Sequence, residues 1–178
     1  MGGVHMAITK LGVLGAGTMG SGIAQVGLQG GLEVTLVDLE QSFIDRGLEN
    51  IIKNFDKSIS KGRITENEKK EFLKNLNIST SKNDLKDCDF IIEDVELKKQ
   101  AFKDLNDICK PETILATNTS GFSITEIAAV SGRPTKVVGT HFFNPVPVMK
   151  LVEVIPGIET SDETITIAME MAKIIGKT

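Results

Sequence analysis

Gly15-Ala16-Gly17-Thr18-Met19-Gly20 is the stretch whose reading decides the fold. It fits G-x-G-x-x-G, and its neighbours give the pattern its meaning. Before it, Ile8-Thr9-Lys10-Leu11-Gly12-Val13-Leu14 reads as a buried strand. After it, Thr18 to Gly30 reads as a helix, stopped by Gly30-Gly31. Glu33 to Asp38 is β-branched and apolar and reads as a second strand. The three together make a βαβ unit of about 30 residues. In such a unit Gly15 permits the tight turn, Gly17 lets backbone approach a pyrophosphate, and Gly20 lets the helix pack close to the strand. Ala16, Thr18 and Met19 complete a turn whose N–H groups and helix dipole suit phosphate. Asp38 stands eighteen positions after Gly20. An acid there accepts from the adenosine ribose hydroxyls and repels a 2′-phosphate, which favours NAD over NADP. FAD uses the same fingerprint and stays a competitor on the motif alone.

The alternation of strand and helix continues outward from that unit. Ser42 to Lys61 is helical, with Phe43, Ile44, Leu48, Ile51, Ile52, Phe55 and Ile59 near helical spacing. Thr65 to Lys74 reads as a second helix, because Thr65 with Glu68 forms a capping-box pattern. This helical hairpin is inserted between strands, and it is either a solvated surface element or an arm that reaches a ligand. Strands are then expected at Asp89–Glu93, Thr113–Thr117, Lys136–His141 and Leu151–Ile155, with helices at Lys98–Ile108, Ser123–Ala129 and Thr164–Ile175. The whole reads as an α/β fold of the Rossmann type, doubly wound, with a mostly parallel sheet covered on both faces.

Composition narrows the function. The 178 residues are 40% hydrophobic and 25% charged, which is ordinary for a globular domain with one sizeable core. A net charge of −4 gives no electrostatic reason for a nucleic-acid or anionic-membrane partner, and no apolar run is long enough to span a bilayer. Cys88 and Cys109 have no metal-ligand spacing, so no metal and no disulfide framework is expected, and a reducing cytoplasm is the default compartment. Met1 to His5 reads as a cloning remnant, leaving residues 6–178 as one domain.

The second half carries two segments too particular for packing alone. Thr117-Asn118-Thr119-Ser120 follows an apolar strand, at the end where open α/β sheets bind ligands. His141 ends another strand and is the only histidine outside the first five residues. Imidazole titrates in the range needed to take a hydroxyl proton as hydride leaves carbon. Glu153 on the following strand can bond the far ring nitrogen and stabilise the imidazolium. On chemistry alone a satisfied polar residue at a strand end explains His141 equally well.

Three stretches add a resemblance: GVLGAGTMGSGIAQ, ICKPETILATNTSGFSITEIA and GTHFFNPVPVMKLVEVI. They are similar to the 3-hydroxyacyl-CoA dehydrogenases, most of all the bacterial members acting on 3-hydroxybutyryl-CoA, and the similarity covers nearly all of the chain after the first few residues. It implies an NAD-linked interconversion of L-3-hydroxyacyl-CoA and 3-ketoacyl-CoA, in fatty-acid or butanoate metabolism. It further implies that His141 is the catalytic base, Glu153 its carboxylate partner, and Ser120 a contact to the substrate oxygen. Asn118 and Asn144 correspond to residues lining the cofactor and active site, and Glu96 and Lys98 to a glutamate and lysine near the nicotinamide ribose. Lys61, with Asn54 beside it, corresponds to a CoA contact on the helical arm.

The chain departs from the family pattern in three places. The resemblance implies a further helical domain that closes the cleft, supplies a catalytic asparagine and forms a homodimer contact, and this chain is expected to lack it. The segment Ile91 to Lys99 is shorter than usual, and Gly121 stands where a second serine is common. The expectation is therefore a chain that binds NAD with little turnover by itself. A non-catalytic dinucleotide-binding or structural relative, and a relative acting on a sugar acid, are the alternatives.

Overall fold

The structure is a computed structural model that describes residues 7–178, so the stretch read as a cloning remnant lies outside the described residues. Strand β1 (Lys10–Leu14) enters the glycine turn and leads into α1 (Thr18–Gln29), after which β2 (Glu33–Val37) lies parallel to β1. Helices α2 (Gln41–Ser60) and α3 (Glu66–Lys74) form the next crossover, which delivers β3 (Leu76–Ser79) parallel to β2. The chain then returns to the other side of β1 as β4 (Phe90–Glu93). It continues through α4 (Lys98–Ile108), β5 (Ile114–Thr117), α5 (Ile124–Val130), β6 (Val137–Phe142), β7 (Val152–Pro156) and α6 (Asp162–Ile174). Among the described residues the strands form one seven-stranded sheet in the order β3-β2-β1-β4-β5-β6-β7. Only β7 runs antiparallel to its neighbour.

This is the doubly wound, mostly parallel Rossmann-like sheet expected from the sequence. Its central strands β1, β4 and β5 are buried almost throughout because helices cover both faces. One core unites residues of β1, α1, α2 and α6, among them Val13, Ile23, Ile51 and Met171. The other unites residues of α4 and α5 with the opposite face of the sheet, among them Leu14, Phe102, Leu115 and Ile127. Each fully buried Leu, Ile or Phe contributes about 1.5–3 kcal/mol relative to exposure. The order reverses between β1 and β4, and the crevice outside the strand ends at that point is where such sheets take their ligand.

The inserted helical pair is held to the body. Ile44, Gly47, Ile51 and Phe55 recur at helical spacing and form the buried face of α2. Phe72 of α3 packs on Phe55 with ring centroids 5.5 Å apart. The capping box is present: the Thr65 hydroxyl accepts from Glu68 N–H while the Glu68 carboxylate accepts from Thr65 N–H.

The structure corrects the sequence reading at several edges. Strand β3 was not anticipated, and it makes the helical pair a crossover between two parallel strands of the sheet. Its sequence, Leu-Asn-Ile-Ser, pairs on one side only and has no fully buried residue, so neither alternation nor an apolar run marks it. Strand β1 begins at Lys10, two residues later than read, and β6 extends through Phe142. Helix α6 begins at Asp162, because the Ser161 hydroxyl accepts from Thr164 N–H and caps it there. No helix among the described residues is long and apolar enough to cross a membrane.

Both cysteines are buried and free. Burial pushes the Cys88 thiol up to about 12 and the Cys109 thiol up to about 11. An unfolded thiol ionises near about 8.5, so the folded chain resists a proton loss that the unfolded chain accepts. That contribution to stability is complete below about 8.5 and is lost as pH rises toward 11. Neither thiol should react with a disulfide reagent at pH 8 in the native protein, and both should react in guanidinium. Denaturation midpoints should fall across the alkaline range, and fall less in a Cys88→Ala, Cys109→Ala variant.

Candidate active site

The glycine turn is shaped by two close approaches. Gly15 has φ +112°, and its would-be Cβ lies 2.5 Å from the Asp94 carbonyl oxygen. A Cβ on Gly20 would lie 1.8 Å from the Gly15 carbonyl oxygen, so α1 can start this close to β1 only with glycine at 20. Gly17 is different. It has ordinary extended backbone, φ −70° and ψ −167°, and nothing within 4 Å of a would-be Cβ. Neither packing nor conformation demands glycine there. The demand comes from outside: open space over backbone is what a pyrophosphate needs. No side chain caps α1 and no acid lies in its first turn, so its first N–H groups and positive dipole end are left for an anion. Thr18 is exposed and Met19 half-buried beside that opening, and Ala16 is buried beneath it.

Asp38 follows β2 and lies against the same turn. One carboxylate oxygen accepts from Ala16 N–H at 2.8 Å and the other from Leu39 N–H at 2.7 Å. These bonds fix the carboxylate beside the turn, and each oxygen keeps capacity for a second hydrogen bond.

Strands β1, β4, β5 and β6 run parallel, so their carboxyl ends share one edge. The end of β6 lies three strand spacings, about 14 Å, from the turn after β1. His141 is at that end, and the antiparallel register of β6 and β7 sets it opposite Glu153. The His141 Nδ1 to Glu153 Oε2 distance is 2.8 Å. A carboxylate only accepts, so in the neutral imidazole that makes this bond the proton sits on Nδ1 and Nε2 is the nitrogen with the lone pair. The imidazole is half-buried and lies against the Phe143 ring, with centroids 4.6 Å apart.

Beneath the edge is a polar node that sequence reasoning only partly found. Glu93, the last residue of β4, has no exposed surface. It accepts from Val95 N–H at 2.5 Å, from Thr117 Oγ1 at 2.7 Å, and from Lys98 Nζ at 3.1 and 3.3 Å. Burial pushes its carboxyl upward, and the Lys98 ammonium is the strongest of the groups pulling it back. Lys98, 8% exposed, also donates to the Asn118 carbonyl at 3.2 Å. The Asn118 side chain accepts from Phe142 N–H at 2.9 Å and donates to Asp94 Oδ1 at 2.9 Å. The signal for Glu93 was visible only as an acid closing the apolar run Phe90-Ile91-Ile92. Glu96 and Ser120 are exposed on the loops after β4 and β5. Asn144 is exposed next to the cis bond to Pro145, in a loop anchored by buried Lys177, which donates to the Val146 and Met149 carbonyls.

The helical arm frames a separate groove of about 420 Å³ against the 145–148 loop. Lys57, Lys61 and Arg63 lie at its wall with Asn54, whose amide donates to Gln25 at 3.0 Å. Lys57 and Arg63 were not singled out from the sequence. Among the described residues, no group of three or more His, Cys, Asp or Glu side chains is placed to hold a metal ion.

Comparison with known proteins gives this geometry a family. Residues 10–178 match the model of the 3-hydroxyacyl-CoA dehydrogenase NAD-binding domain. The chain belongs to the 3-hydroxyacyl-CoA dehydrogenase family. It is 49% identical over 172 residues to the 3-hydroxybutyryl-CoA dehydrogenase of Clostridioides difficile, covering 94% of this chain and 61% of that protein. It is 47% identical over 173 residues to a probable 3-hydroxybutyryl-CoA dehydrogenase of Deinococcus radiodurans, covering 95% of this chain and 62% of that one. The crystal structure of (S)-3-hydroxybutyryl-CoA dehydrogenase from Ralstonia eutropha superposes with a TM-score of 0.94 at 41% identity, over 96% of this chain and 62% of that chain. The chain thus spans about three-fifths of the length of the relatives it matches. The 3-hydroxyacyl-CoA dehydrogenase domain is an NAD-binding domain, which removes FAD as a competitor.

The two glycines separate fold from ligand. Gly20→Ala should lower the melting temperature by at least several degrees, since the added carbon meets backbone. Gly17→Ala should cost less than about 1 kcal/mol, for a poorer N-cap, while weakening NADH binding more than about tenfold. Thermal melts and NADH fluorescence titration on both variants check this.

Proposed function

We propose that this domain serves an enzyme that interconverts L-3-hydroxyacyl-CoA and 3-ketoacyl-CoA, with 3-hydroxybutyryl-CoA as the substrate. The observation that carries the reading is the His141–Glu153 pair, held at 2.8 Å on the strand-end edge that also holds the glycine turn. NAD, when bound, supplies the hydride acceptor. Gly15, Ala16, Gly17, Thr18, Met19 and Gly20 would hold its pyrophosphate and Asp38 its adenosine ribose, with Asn118, Asn144 and Glu96 at its nicotinamide end and Lys98 beneath that end. His141 Nε2 takes the proton of the 3-hydroxyl as the C3 hydride departs, and Glu153 stabilises the imidazolium that results. Ser120 steadies the substrate oxygen. In the reverse direction His141 returns the proton to the ketone oxygen.

The CoA part of the substrate belongs in the groove under the arm. Lys57, Lys61 and Arg63 offer positive charge to its phosphates, while Ile64, Pro147 and Val148 offer apolar wall to its chain. A sugar acid has a single carboxylate and no apolar chain, so it would leave most of this groove unused. The enzyme's homodimer contact and the remainder of its cleft belong to the helical domain that the relatives' greater length accommodates, with residues 6–178 forming the cofactor domain. The 178 residues by themselves are expected to bind NADH and to oxidise it with acetoacetyl-CoA far more slowly than a full-length relative, because positioning supplies much of the rate.

In the full-length enzyme, His141→Gln should lower kcat by about 10²–10⁴-fold. NADH affinity should stay within about twofold, since His141 is a proton acceptor and not a cofactor anchor. Steady-state kinetics with acetoacetyl-CoA test this, and an unchanged kcat would remove His141 from the role. In a second measurement, Lys61→Ala with Arg63→Ala should weaken binding of free CoA to the 178-residue chain, more strongly at low salt, and leave NADH affinity unchanged. Equal CoA binding by both proteins would move the CoA site elsewhere.

A further inference from the structure

We propose that Glu93 and Lys98 form a buried positioning pair, through which Lys98 acts on the nicotinamide end of the crevice by holding Asn118 and without touching the cofactor. The proposal rests on the reading of the β6 end as the nicotinamide side, and it adds a role for two residues beneath that surface.

An ammonium has three donors and no acceptor. Those of Lys98 are directed at both Glu93 oxygens and at the Asn118 carbonyl, all three distances lying between 3.1 and 3.3 Å. Glu93 is equally committed, because Val95 N–H and Thr117 Oγ1 occupy one further site on each oxygen. The node is closed: its charges cancel and neither residue has exposed surface beyond 8%. A buried charge left alone is costly, so the two residues hold each other in place.

The node then acts on its neighbours. Lys98 grips the main chain of Asn118, and the Asn118 N–H donates to the Glu93 carbonyl at 2.8 Å. With its backbone fixed, the Asn118 side chain has one orientation that satisfies both partners. Its oxygen must face Phe142 N–H and its nitrogen must face the Asp94 carboxylate. Phe142 follows His141, so Asn118 ties the catalytic strand end to the loop after β4. One Nδ2 hydrogen of Asn118 remains for a ligand at this edge. A shift of Lys98 therefore moves a ligand donor and the backbone next to His141 together.

Two measurements on the 178-residue chain test the pair. In the ¹⁵N-labelled protein without ligand, Glu93→Gln and Lys98→Met should each shift the Asn118 side-chain amide and the Phe142 backbone N–H resonances. Signals that stay in place in both variants overturn the proposal. In binding titrations, each single variant should weaken NADH by about three- to tenfold, the scale of one misplaced hydrogen bond. ADP-ribose, which lacks the nicotinamide, should change less than about twofold, and the double variant should be no weaker than the worse single one. Normal NADH affinity in Glu93→Gln alongside a loss in Lys98→Met means that Lys98 touches the cofactor directly, and the proposal fails. Thr117→Val removes one hydroxyl from Glu93 and provides a milder variant should the charged ones unfold. It should shift the same two resonances in the same direction, and unmoved signals there overturn the pair as well. Failure of the unsubstituted chain to bind either ligand would overturn the cofactor reading, and the ligand-free resonances would still decide the node.

Discussion

Backbone in a sheet that is covered on both faces has no water to turn to, so its polar chemistry is confined to the strand ends. Here Leu11, Val13, Phe90, Ile92, Ile114, Ala116 and Val138 fill the layer, and among the described residues the Thr140 hydroxyl is the one buried side-chain polar group left without a partner. The parallel run of β1, β4, β5 and β6 brings four carboxyl ends to one edge. The glycine turn, Asp94, Asn118 and His141 meet at that edge for this reason alone, though they come from segments more than a hundred residues apart in the chain. The antiparallel addition of β7 matters because it places an acid of a later segment directly opposite His141. A parallel seventh strand would have carried Glu153 in a different register.

The edge combines two kinds of polar order. At the glycine turn, the start of α1 has backbone donors without a side-chain cap. Towards His141, the groups of the Glu93 node satisfy one another, and only a few at the surface keep capacity for a ligand. Glu93, Lys98 and Thr117 belong to the first layer of that side, while His141 Nε2 and one Asn118 hydrogen belong to the second. A floor of charge-assisted bonds is rigid, and it holds the residues above it in fixed places. The helical arm adds a third region, cationic and open, well separated from the turn along the chain.

Much of this was legible in the residues. The glycine turn was readable because its spacing is tied to a strand before it and a helix after it. The Thr65–Glu68 box was readable because reciprocal capping needs those residue types three apart. The His141–Glu153 pairing was readable as chemistry, and the strand register then supplied the contact. What escaped notice was edge and interior. Strand β3 is half polar and paired on one side, so periodicity is silent there. Glu93 looks in sequence like one of many charges, and Lys98 stood out only through the resemblance; burial shows that the two satisfy each other. Lys57 and Arg63 read as solvated charges in the sequence, and only the fold shows that they share the wall of an open groove with Pro145, Pro147 and Val148. Burial and long-range contact are properties of the fold, so no local pattern could have marked these residues.

The central claim is that the imidazole of His141 borders the nicotinamide of a cofactor whose pyrophosphate rests on the glycine turn. Isotope-filtered nuclear Overhauser spectroscopy of the labelled chain with bound NADH addresses it without any assay of turnover. The account predicts cross-peaks from the nicotinamide ring protons to the imidazole protons of His141, and from the adenine protons to residues flanking Asp38. Nicotinamide cross-peaks that avoid His141 while the adenine contacts remain would contradict it.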